Sequence, residues 1–198
     1  MRRPSQSHSY EQMKRASDSE CPALAVRLAR RHLARFPDDF LAWHFLGERL
    51  VDLARYEEAE QAFGKLLEYL PPEKKWRASY SMGRLFREAG NYERSIEWYR
   101  KAIDAEPDEA TSYIFLGAVL AKQGRLLEAQ EVHRTATQCP RGCIDEAWHN
   151  LGLILRARED FDEAAQCFRE AIRLDPDYRE AKRALRDVER CLRLKRDK

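Results

Sequence analysis

No stretch of this chain suits a membrane. Its longest apolar runs fall well short of the roughly 18 residues that a spanning helix needs. The opening Met-Arg-Arg-Pro-Ser-Gln-Ser-His-Ser has no apolar core of the kind a secretion signal carries, so the expected location is cytoplasmic. Glycine and proline are scarce, eight of each in 198 residues, and 35% of the residues are charged, which fits a soluble all-α protein. There is no glycine-rich phosphate loop, no nucleophile elbow and no pair of carboxylates set apart for acid–base work. Cysteine is also sparse. The five are Cys21, Cys139, Cys143, Cys167 and Cys191, and an odd number without a secretion signal favours reduced thiols.

A repeat is present instead. Gly47, Gly83, Gly117 and Gly152 stand 36, 34 and 35 residues apart. A period in the mid-thirties marks a stack of helical hairpins. Four places before the glycines stand Trp43, Ser79, Tyr113 and Trp148. One place before stand Leu46, Met82, Leu116 and Leu151, and three after stand Leu50, Phe86, Leu120 and Leu155. These spacings share one side of a helix. Twelve places after the glycines come Ala59, Ser95, Ala129 and Ala164, and sixteen after come Phe63, Tyr99, His133 and Phe168. The second set reads as another amphipathic helix, closed in three copies by Pro71, Pro107 and Pro176, since a residue before proline is pushed out of the helical region. Glycine inside a helix costs roughly 1 kcal/mol against alanine. Four such costs at one register imply that close packing compensates.

This pattern resembles the tetratricopeptide repeat over Phe40 to Tyr178. The first and fourth copies match the family signature nearly throughout, the second departs at Ser79 and Ser95, and the third departs at His133 and in the place of its proline. The resemblance implies an all-α, right-handed superhelical solenoid of helix-turn-helix repeats with a C-terminal capping helix. The expected division is a disordered N-terminus over 1–9, then a degenerate repeat or capping helices over 10–39. Four repeats follow over 40–178 (40–73, 76–109, 110–143 and 145–178), and a capping helix with a basic tail occupies 179–198. Asp160 and Glu163 have the spacing of a capping box.

In the family, the first helix of each hairpin lines a concave groove and supplies the ligand contacts. Carried onto this chain, the expected groove residues are His44, Phe45 and Glu48, then Arg77, Tyr80, Ser81, Arg84 and Arg87. The third repeat adds Ile114 and Phe115, and the fourth adds His149, Asn150 and Leu153. Arg77, Arg84 and Arg87 with Tyr80 among them form a candidate grip for a carboxylate or phosphate. The bland alternative pairs these arginines with Glu48, Asp52 or Glu88. Ile114 and Phe115 supply an apolar stretch beside them. The expected partner is therefore a protein or peptide with acidic and apolar residues. The clamp by which relatives hold heat-shock chaperone tails needs Lys and Asn, then Asn, then Lys and Arg. Here those places hold His44 and Glu48, Ser81, and Thr111 and Phe115, so no such clamp is expected.

The order His133, Cys139, Cys143, His149 matches no common zinc spacing, and the resemblance puts the two histidines on different sides of their hairpins, so no metal or cofactor is expected. Charge is unevenly spread. Residues 1–35 carry +5 and residues 179–198 carry +5, which leaves −8 between them for a net of +2. Basic ends attract anions, although well-solvated end helices look the same. The acidic middle argues against nucleic acid in the groove. The expected function is a non-enzymatic interaction adaptor. A self-associating assembly subunit is the alternative, and a helical-repeat nucleic-acid binder is more remote.

Overall fold

The computed structural model describes residues 4–18 and 21–196. Eleven α-helices follow one another among these residues: α1 (Pro4–Asp18), α2 (Pro22–Leu33), α3 (Phe40–Asp52), α4 (Tyr56–Tyr69), α5 (Lys75–Glu88), α6 (Tyr92–Ala105), α7 (Ala110–Lys122), α8 (Leu126–Ala136), α9 (Ile144–Ala157), α10 (Phe161–Leu174) and α11 (Arg179–Arg196). Consecutive helices pair as hairpins, the architecture of a helical-repeat solenoid. The chain divides into two compact units, one ending at Ala105 and the other beginning at Glu106.

The glycine period has a direct steric cause. A Cβ built on Gly47 would lie 2.3 Å from the Phe63 ring, on Gly83 2.6 Å from Tyr99, on Gly117 2.5 Å from His133 and on Gly152 2.7 Å from Phe168. Each glycine is thus the floor on which the ring sixteen residues later rests. All four rings are buried, at 1% exposure or less. Ser95, which departs from the small apolar residue of its place, is fully buried and donates a 2.8 Å hydrogen bond to the carbonyl of Gly83. The substitution is satisfied locally. His133 is not, because its Nδ1 is buried with no hydrogen-bond partner.

Seven places after each glycine the chain turns with positive φ. Gly90 (+75°) and Gly124 (+76°) adopt it readily, whereas Ala54 (54°) and Glu159 (65°) adopt it against a Cβ clash. Asn91 then starts α6, its side chain accepting from the Arg94 backbone N–H. The Asp160 capping box does not form. Its side chain accepts no capping hydrogen bond and lies 3.7 Å from Arg158 instead.

The N-terminal segment folds differently from expectation. Helix α1 begins at Pro4, within the stretch read as disordered; residues 1–3 lie outside the described residues. With α2 it forms a hairpin of the first unit. Placed 34 residues upstream of Gly47, Met13 occupies the glycine place, and Ala29 occupies the aromatic place. Both are fully buried in one core with Leu33, Leu46 and Phe63. The large and small residues of the interlock have exchanged helices, which is why the pattern fades there. The hairpin is fastened by a polar chain. Ser9 Oγ is 2.8 Å from His32 Nδ1, and His32 Nε2 is 2.9 Å from Asp39 Oδ2. Asp39 also caps α3 through the Ala42 N–H.

In the second unit, the irregular run from Cys139 to Cys143 is anchored by backbone pairing. Ala110 N–H donates to the Arg141 carbonyl (2.9 Å) and Arg141 N–H to that of Asp108 (3.3 Å), while the Arg141 guanidinium pairs with Glu106. Helix α11 lays Ala181, Ala184, Leu185, Val188 and Leu192 against α9 and α10. The five cysteines are free thiols.

Candidate functional site

Within the first unit, α3 and α5 bring together His44, Glu48, Arg77 and Arg84, with Tyr80 and Arg87 also on α5, while Phe45 lies against Tyr10 of α1 and under Arg49. Helical spacing puts His44 and Glu48 on one side of α3, with Nε2 and Oε1 3.8 Å apart. The guanidinium of Arg84 pairs with Glu48 across the two helices. Arg87 pairs with its neighbour Glu88 (2.7 Å), and Arg49 with Asp52 (3.0 Å). The alternative in which these arginines meet internal carboxylates is thus the observed one for Arg84 and Arg87. Arg77 is exposed and lies over the Trp76 ring, 5.2 Å from its centroid; among the described residues no carboxylate pairs with it. Tyr80 tilts onto Tyr99, with ring centroids 5.9 Å apart.

The electrostatics follow from this crowding of cations. Burial holds His44 below its ordinary value, and Arg84, Arg77 and Arg49 push the same way. Burial raises Glu48, against the pull of Arg84 and Arg49. His44 is therefore a neutral ring near neutral pH, standing among three guanidinium groups.

Ser81 does not reach this face. It is buried, at 2% exposure, and turned into the core with Met82 and Gly83. Ile114, expected to supply an apolar stretch of the groove, is corrected too. It is 2% exposed and packs with Ala110, Ala136 and Ala147. In both cases the place assigned from the first helix alone ignored the hairpin that follows it.

The second unit offers Phe115, His149, Asn150 and Leu153 as half-buried side chains. The His149 ring is tilted against those of Phe168 (centroids 5.7 Å apart) and Tyr178 (4.9 Å). Burial lowers its affinity for protons, although a hydrogen bond with Asn150 and the charge of Glu180 oppose this. Burial also raises Glu146, as does Asp145, while the Asn150 hydrogen bond lowers it. Tyr178 is pushed up to about 12 by burial and then by Glu146, Asp145, Glu180 and Asp175. The α9 face of this unit is acidic, in contrast to the cationic α3–α5 face. His133 lies under Gly117 and His149 beside Phe168, so neither joins Cys139 and Cys143 in a ligand set. Among the described residues no three His, Cys, Asp or Glu side chains gather as metal ligands, and no helix is long and apolar enough to cross a membrane.

A feature that sequence reasoning missed lies between α2, α3 and α4. It is a cavity of about 700 Å³ with Leu33, Trp43, Leu46, Leu50, Ala62 and Gly64 in its walls. The same place in the second unit, around Trp148, Leu151 and Leu155, holds about 460 Å³. The signal was available. Gly64 stands where the other three repeats carry Arg100, Arg134 and Arg169, and nothing lies within 4 Å of the Cβ it lacks.

Comparison with known proteins agrees with this architecture. A family model described as "Tetratricopeptide repeat" matches residues 145–178, and one described as "TPR repeat" matches residues 83–124. Human "Tetratricopeptide repeat protein 7A" is 34% identical over 96 residues, 48% of this chain and 11% of that protein. The "Protein CTR9 homolog" of Arabidopsis thaliana is 26% identical over 177 residues, 85% of this chain and 16% of that protein. The chain thus spans only between a tenth and a sixth of the length of these relatives. Among solved structures, yeast Tom70 superposes with a TM-score of 0.74 at 16% identity, covering 85% of this chain and 36% of that one. YrrB, described as "a TPR protein with an unusual peptide-binding site", superposes with a TM-score of 0.60 at 20% identity, covering 87% of each.

Proposed function

The chain belongs to the tetratricopeptide-repeat family, whose members are protein-interaction scaffolds, and on that premise we propose that it takes an extended acidic peptide on the α3–α5 face of its first unit. The observation that carries this reading is the field around His44. Arg49, Arg77 and Arg84 all act on that ring, and among the described residues Arg77 alone of the three has no paired carboxylate. Arg77 is the first contact for an incoming Asp or Glu, and bidentate geometry makes the contact directional. Arg84 and Arg87 are held in place by Glu48 and Glu88, and a ligand carboxylate competes for them. Phe45, beneath Arg49, and Tyr80, on α5 with Arg77 and Arg84, receive an apolar side chain next to the acidic one. No chemical step is involved, and the scaffold reading needs no metal or cofactor.

The test is a peptide library of fixed length with Asp or Glu beside one apolar residue, screened against the wild type and Arg77→Glu. Both proteins are first compared by circular dichroism. The expected outcome is enrichment of acidic–apolar peptides by the wild type and an affinity loss of about tenfold or more in the variant, the effect of reversing an exposed recognition charge. Equal enrichment by both proteins removes Arg77, and the reading with it.

A further inference from the structure

Helix α11 is two-sided. Its apolar stripe is spent on the second unit's core, with Ala181 and Val188 fully buried. The other side presents Arg179, Arg183, Arg186, Arg190 and Arg193, all exposed. Their spacing is four, three, four and three, which keeps them in one row along the helix. At 1.5 Å per residue the row is about 21 Å long. Neighbours in it are about 5–6 Å apart at Cβ, so the charges repel one another.

Elsewhere in the chain, arginines reach carboxylates on other helices: Arg84 with Glu48, Arg94 with Glu60, Arg169 with Glu189. None of the five in the row has an ion pair among the described residues. The helix has acids of its own, yet Glu189 is directed to Arg169, and Glu180 and Asp187 stand beside the row without pairing into it. A helix that merely needed a wetted outer side is served equally by lysine, glutamate or glutamine. Here every place in the row is arginine, the cation whose planar fork engages carboxylates in pairs and sheds water most easily.

We propose that this row docks an acidic α-helix of a partner protein, one that carries Glu or Asp at the same four-three-four-three spacing. The match is geometric. Carboxylates so spaced rise along their helix in the same steps as the guanidiniums, so all five can pair at once. Glu180, Asp187 and Leu194 form an adjoining exposed row at intervals of seven. Two acids there oppose a dense polyphosphate, while on a partner helix they meet single basic residues in the next register. Helix α11 contains no aromatic residue on which bases stack, and apart from Leu194 its apolar side chains are spent on the core, so it has little to insert into a lipid surface.

The experiment uses the full chain and fluorescence anisotropy. The probe is a synthetic alanine-based helical peptide with Glu at the five matching places. Its control is an isomer of identical composition with the glutamates off one face. A 20-base-pair DNA duplex and phosphatidylserine vesicles are run in parallel. The patterned peptide is expected to bind at least about tenfold more tightly than the isomer. Arg183→Glu/Arg186→Glu/Arg190→Glu should abolish that preference. Lysine at the same three places should weaken it several-fold, since charge remains but the fork is lost. Equal binding of the isomer overturns the proposal, as does tighter binding of duplex or vesicles, or no binding of the patterned peptide. Comparison of the two peptides on the wild type alone decides the matter even if the charge-reversed protein folds poorly.

Discussion

His133 occupies the place that Phe63, Tyr99 and Phe168 fill in the other repeats, and it pays for its two nitrogens. Burial pushes it down to about 4 from an ordinary 6.5. The unfolded chain therefore takes up this proton more readily than the folded one. The associated stability is complete above about pH 6.5 and is lost as pH falls toward 4, reaching a loss of roughly 2 kcal/mol at pH 5. His133→Phe should flatten that slope in urea titrations at pH 5 and 7. It should also gain about 1–2 kcal/mol at pH 7, because the unpartnered Nδ1 disappears and Gly117 already leaves room for a ring. A second residue-scale cost sits at Ala54, with φ of 54° in an exposed turn. Ala54→Gly should raise the unfolding free energy from urea titration by about 0.5–1 kcal/mol, and Gly90→Ala, at the same place in the next repeat, should lower it by a similar amount. The positions of both residues were legible from the period. The missing hydrogen bond and the sign of φ were not, since each depends on what the neighbouring helix places nearby.

Among the helices, the interlock of a glycine with the ring sixteen residues later was legible because it recurs four times at one register. The first hairpin was harder to read, since Met13 and Ala29 carry the same contact with the sizes exchanged. A motif search looks for the residue and not for the summed volume, so a faithful repeat presents itself as a degenerate one. This makes a prediction about coupling. Met13→Gly should cost about 3–5 kcal/mol from the cavity and the helix glycine. Ala29→Phe should cost about 1–3 kcal/mol from overpacking. The double variant should be more stable than their sum predicts by at least about 1 kcal/mol, because the ring enters the space that the methionine leaves. Strict additivity in a double-mutant cycle measured by denaturation contradicts the exchange. The polar fastening of this hairpin was invisible in advance, since Ser9, His32 and Asp39 are separated along the chain and only the fold aligns them. Asp39→Ala removes a helix cap and leaves His32 Nε2 buried without its partner, at an expected cost of about 2–4 kcal/mol.

For the whole molecule, the sequence misjudged which side chains the candidate face exposes. Ser81 and Ile114 are core, while Arg84 and Arg87 arrive already engaged. Rules of position along one helix carry no account of the opposing carboxylates or of the helix that covers a residue from behind. Charge, being a sum, survives this loss of detail. The chain has +5 in residues 1–35, +5 in residues 179–198 and −8 between, so its net of +2 conceals large opposite charges. Near the sequence pI of about 8.3 the net charge vanishes and long-range repulsion between molecules vanishes with it. What remains is attraction between the basic ends of one molecule and the acidic middle of another. At about 10 mM salt the screening length is roughly 30 Å, and at 1 M it is about 3 Å. Light scattering at pH 8 should therefore show net attraction at low salt that fades as salt rises through a few hundred millimolar. An assembly subunit that associates through apolar repeat faces responds in the opposite sense, because burial of apolar surface is not weakened by salt and strengthens with sulfate. Salt dependence of a single scattering series thus separates the scaffold from the self-assembling alternative without knowledge of the partner.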